Sequence, residues 1–85
     1  VDFYYAFEEV KLGRIYERNV RYTTEFLLVL SKGKKLISCL FFDGANIETI
    51  FLNKQIWDTE KYELLVNKEE IEERRRDFID FIFGD

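Results

Sequence analysis

Two apolar runs stand on either side of a short polar turn, and they constrain this chain more than any other feature. Phe26-Leu27-Leu28-Val29-Leu30 is followed by Ser31-Lys32-Gly33-Lys34 and then by Leu36-Ile37-Ser38-Cys39-Leu40-Phe41-Phe42. Paired apolar runs around a glycine-containing turn predict a β-hairpin over about residues 23–42. Both runs are apolar on both alternating faces, so the pair is expected at the centre of a sheet with cover on each side. Asp43-Gly44-Ala45-Asn46 supplies a second turn. Residues 47–52 then alternate as a third strand would. The competing reading has Asp43 capping a helix through Ile47, Ile50 and Phe51.

The flanks are less regular. Asp2 can cap a helix in which Phe3, Ala6, Phe7 and Val10 share a face, with Gly13 as its stop, so a helix is expected over residues 3–12. Phe3-Tyr4-Tyr5 would also suit a strand. Residues 14–24 alternate with little to bury on either face and predict an extended edge segment. Trp57-Asp58-Thr59-Glu60 reads as a turn, followed by a helical turn through Tyr62–Val66. Asn67, with Glu70 three residues on, is a capping-box start for a helix from Lys68 to about Phe83 that ends at Gly84. Acids fill its first turns, and Glu70–Arg74, Glu72–Arg76 and Arg76–Asp80 are i,i+4 neighbours. The expected fold is α+β, in one domain over residues 1–85: a short antiparallel meander packed with an N-terminal helix and a long C-terminal helix.

A chain of 85 residues has little interior and is marginal without help. Cys39 is the sole cysteine and histidine is absent, so neither an internal disulfide nor a zinc site is expected. Packing or self-association must supply the stability. Aromatic residues make up 18% of the chain, which enlarges a small core and also suits an interface. No apolar stretch approaches the roughly 18 residues of a membrane span. One free thiol fits a reducing, cytoplasmic setting.

The residues of catalysis are sparse. Without histidine no Ser-His-Asp or Cys-His arrangement can form. Cys39, inside an apolar run, reads as a small buried hydrophobe. Glu9-Val10-Lys11 has a Glu-x-Lys spacing without a partner strand, and Asp77 and Asp80 lie three apart on a solvated helix face. No enzyme, no catalytic or metal-binding residue and no cofactor are expected.

Three surfaces remain as candidates. The acidic face of the C-terminal helix (Glu69, Glu70, Glu73, Asp77, Asp80) suits a basic protein surface. The apolar arc of the same helix, with Arg75, Phe78, Phe81, Ile82 and Phe83, is wider than a surface helix needs, which points to a protein partner or a homodimer. The stretch 11–35 holds seven basic residues against two acids and interleaves them with aromatics. Its Arg14, Tyr16, Arg18, Arg21, Tyr22, Lys32, Lys34 and Lys35 suit a nucleic acid. The net charge of −4 favours a protein partner over nucleic acid. The expectation is a small acidic regulator, adaptor or inhibitor, a composition frequent among phage and mobile-element products. A nucleic-acid accessory protein and a self-associating structural subunit are the alternatives.

Overall fold

Residues 4–84 are described by the structure, a computed structural model. Four strands form an antiparallel meander: β1 (Ile15–Val20), β2 (Thr23–Lys32), β3 (Leu36–Phe42) and β4 (Ile47–Asn53). The two apolar runs are its central strands, as the hairpin pattern requires. Helix α1 (Lys54–Glu60) follows β4 directly, a two-residue strand β5 (Glu63–Leu64) pairs with β1, and helix α2 (Lys68–Phe83) closes the chain. The sheet order is β4-β3-β2-β1-β5.

Alternation along the strands separates two cores. Leu27, Val29, Ile37 and Cys39 point to one face with Tyr16, where they meet Phe7, Val10, Trp57 and Tyr62. Phe26, Leu28 and Leu40 point to the other face with Ile15, where they meet Leu65 and Phe78 of α2. A bulge between Val29 and Ser31 shifts the register, and Lys32 reaches the first face as a result. There its Nζ donates to the carbonyl oxygens of Glu8 (3.0 Å) and Val10 (3.1 Å), and lies 5.2 Å from the centre of the Phe7 ring.

Four local expectations are corrected. The helix over 3–12 is a single 3-10 turn, Phe7–Glu9, within extended chain; Asp2 and Phe3 lie outside the described residues. Tertiary bonds claim the groups a helix would need. Tyr5 N–H donates to Tyr62 O (2.9 Å), Phe7 N–H donates to Asp58 Oδ1 (2.9 Å), and Tyr5 O accepts from Trp57 Nε1 (2.8 Å). Phe7 and Val10 still bury together, so the spacing identified the right residues on the wrong backbone. Residues 54–60, of which 57–60 are expected as a turn, form α1 because Asn53 Oδ1 accepts from Ile56 N–H (2.8 Å) and caps it. The helical turn expected at Tyr62–Val66 is β5. Residues 14–24 are more buried than an edge segment, since Ile15 and Tyr16 face opposite cores. By contrast, the third strand and the C-terminal helix form where expected, and Asn67 Oδ1 caps α2 through Glu70 N–H (2.9 Å).

Candidate protein-interaction surface

Helix α2 is held to the sheet by very little. Phe78 is its one buried residue, 0% exposed, with Ile71 packed partly beside it. Phe78 meets the half-buried Phe42 edge-on at 6.2 Å. The chain leaves the sheet at Leu65, whose N–H donates to Ile15 O (2.9 Å), so α2 starts near the β1–β5 side. Its sixteen residues run about 24 Å. Ile71, Phe78 and Ile82 fall on one line of this helix, yet Ile82 is 47% exposed. The helix outruns its support. Ile79 and Phe81 are also exposed, and Phe83 is 80% exposed. Four large apolar side chains in the last five residues of α2 thus stand in solvent.

Phe78 belongs to the core and not to a contact surface, a correction to the expected apolar arc. Phe81, Ile82 and Phe83 remain available. Arg75 is exposed and donates to Gly13 O (3.3 Å), tying the helix to the start of β1. Arg74, which the sequence placed only as an i,i+4 neighbour of Glu70, covers the core like a lid. Its guanidinium lies 5.2 Å from the centre of Phe26 and 5.6 Å from that of Phe42. It also meets Glu73 (3.1 Å) and Asp77 (3.2 Å). Nε faces Asp77 without the alignment of a hydrogen bond.

That arginine changes the acidic face. Glu73 and Asp77 are partly neutralised by it, while Glu69 and Asp80 are exposed and make no ion pair among the described residues. Glu70 lies near another acidic group. Glu17 of β1 stands directly across the ladder from Glu63 of β5, and its carboxyl is held above the usual range by burial, then by the charges of Glu70 and Glu63. Tyr4, Tyr5, Glu9, Glu17 and Glu63 line a groove of about 500 Å³. The negative surface therefore extends from the start of α2 onto the sheet. Sequence reading missed this part because Glu17 and Glu63 become neighbours only through β5, a strand two residues long.

The basic stretch does not assemble into one surface. Tyr16 is 1% exposed, packed edge-on to Trp57 at 5.3 Å, and cannot stack on a base; that is a further correction. Arg18 is engaged by Glu25 (2.8 Å) and by Glu60, and Lys32 by two carbonyls. Arg21 and the fully exposed Tyr22 form the β1–β2 turn, whereas Lys34 and Lys35 form the β2–β3 turn at the opposite end of β2, roughly 30 Å away. Arg14 lies near the latter end, where its carbonyl accepts from Val29 N–H. Cys39 is fully buried and its thiol is pushed up to about 12 by burial, which leaves it inert as a nucleophile. Among the described residues no group of three metal-ligating side chains converges, and no helix is long and apolar enough to cross a membrane.

Comparison with known protein families, with curated proteins and with solved structures finds no match.

Proposed function

We propose that this chain is a non-enzymatic protein-interaction module, acting as a regulator, adaptor or inhibitor by docking the end of α2 onto a larger protein. The observation that carries this reading is the exposed cluster Ile79, Phe81, Ile82 and Phe83 on a helix that buries only Phe78. An amphipathic helix end of this kind fits an apolar groove on a partner. Its aromatic rings are the residue type that forms the desolvated centre of an interface. Glu69, Glu70, Glu73 and Asp80 would flank that centre and match a basic rim, steering the encounter.

The test is affinity capture from host lysate with the tagged chain, with and without nuclease, using the wild type, Phe83→Asp and the double variant Glu69→Lys/Glu73→Lys. A discrete protein is expected with the wild type under both conditions. Phe83→Asp loses it, and the double variant binds more weakly with a flatter salt dependence. Capture that both variants leave unchanged rejects the docking surface. Capture that nuclease abolishes transfers the reading to nucleic acid.

A further inference from the structure

One edge of the sheet is built differently from the other. On the β1 side, β5 covers Tyr16 and Glu17, and Tyr4 bridges to Glu63 beyond it. On the opposite side β4 is the terminal strand, seven residues long. Exposed edges are normally guarded by lysine, proline, a bulge or brevity. β4 reads Ile-Glu-Thr-Ile-Phe-Leu-Asn and has none of these, with Glu48 its single charge. Its pairing with β3 runs without a register shift. Phe51 lies on the same sheet face as α2, 64% exposed.

The backbone alternation says which groups are free. Asp43 N–H donates to Asn46 O and Lys54 N–H to Lys35 O, so the even-numbered residues of β4 are those that exchange hydrogen bonds with β3. Ile47, Thr49 and Phe51 consequently turn their N–H and C=O outward, as does the N–H of Asn53. We infer that β4 pairs antiparallel with β4 of a second copy of this chain, joining two sheets into one across a two-fold axis at Ile50. In that register all seven residues are matched. Thr49 sits opposite Phe51 of the other copy and Ile47 opposite Asn53, so outward groups meet outward groups. Glu48 falls opposite Leu52, which keeps the two Glu48 carboxylates roughly 13 Å apart along the ladder. The two Phe51 rings become diagonal neighbours on one face, within reach of each other. In this register the one charge of the strand avoids its own copy and the exposed Phe51 ring meets its own copy, which favours a second copy over an unrelated peptide. This inference rests on the β4 edge and is independent of the docking role of α2.

The experiment is light scattering of the purified full-length chain over about 10–200 μM, with far-UV circular dichroism as the folding check. The wild type is expected at twice the mass of one chain. Thr49→Pro removes an N–H that has no partner among the described residues of one copy, and Phe51→Lys places a charge at the seam. Both are expected at half the wild-type mass with unchanged dichroism, while Phe83→Asp stays dimeric. If one of the two edge variants fails to fold, the other decides. A wild type with the mass of one chain throughout this range overturns the inference. So does a dimer that survives both edge variants, or one that Phe83→Asp dissolves and they do not.

Discussion

The two faces of the sheet are closed in contrasting ways. The face under the 3-10 turn and α1 is tied by directional bonds as well as packed. Trp57 is fully buried, stacks on Tyr62 at 4.5 Å, meets Tyr16 edge-on and donates its Nε1 hydrogen to Tyr5 O. Asp58 takes the Phe7 N–H, Lys32 holds two carbonyls of the N-terminal segment, and Lys54 pairs with Glu8. Apart from the Trp57–Tyr62 stack, each of these contacts joins segments far apart in sequence. On the other face α2 contributes one buried ring, an arginine lid and the Arg75 bond to Gly13 O, and then an unsupported apolar end. A side crossed by many specific bonds is a folding core. A side on which the helix buries one ring leaves the end of that helix exposed, which is the surface proposed above for a partner.

Substitutions can break that contrast. The largest effect is expected for Trp57→Ala, which empties the centre of the tied face and orphans Tyr5 O. A loss of about 3–5 kcal/mol or more, seen as global unfolding by urea titration, would fit. Phe78→Ala should cost about 3 kcal/mol but act locally, so that helical dichroism melts ahead of the sheet. Coincident transitions in that variant would mean that the two faces fold as one unit and would remove the basis for the comparison. Phe78→Asp is expected to detach or unfold α2 and so cannot report on self-association. Arg74→Ala should cost about 1 kcal/mol through lost ring contacts and ion pairs, again in the α2 transition first.

The smallest expected effect is one of pH. Glu17 binds its proton more tightly in the folded chain than in the unfolded one. Its contribution to stability is therefore best at acid pH and declines as pH rises from about 4 through its raised folded value. Glu17→Gln should raise the melting temperature slightly at pH 7, with the gain vanishing below about pH 4. No difference at pH 7 would show that neither burial nor the charges of Glu70 and Glu63 penalise the Glu17 carboxylate there.

Much of this architecture was legible in advance, and for identifiable reasons. The central hairpin announces itself because Phe26–Leu30 and Leu36–Phe42 are contiguous and separated by a glycine turn. α2 is equally plain, since Asn67, the early acids and Gly84 mark its ends within the chain itself. The N-terminal segment was misread because Phe7 and Val10 have helical spacing, while the bonds that hold it extended come from Asp58, Trp57 and Tyr62, some fifty residues away. α1 escaped notice because its cap, Asn53, is also the last residue of a strand. Of the candidate site, Phe81, Ile82 and Phe83 were recognisable from the excess width of the apolar arc. Phe78 could not be told apart from them by periodicity, which ranks residues around a helix and says nothing about where the supporting sheet stops.

The sequence by itself determined the class of fold, its central strands, its last helix and the absence of histidine and of a second cysteine, because these depend on local pattern and on residues present or missing. Only the tertiary structure decided which apolar side chains are core and which are surface, which charges are already paired, and which strand is left at the edge. Those outcomes depend on the lengths and register of elements that meet across long separations, and no local stretch of the chain contains that information.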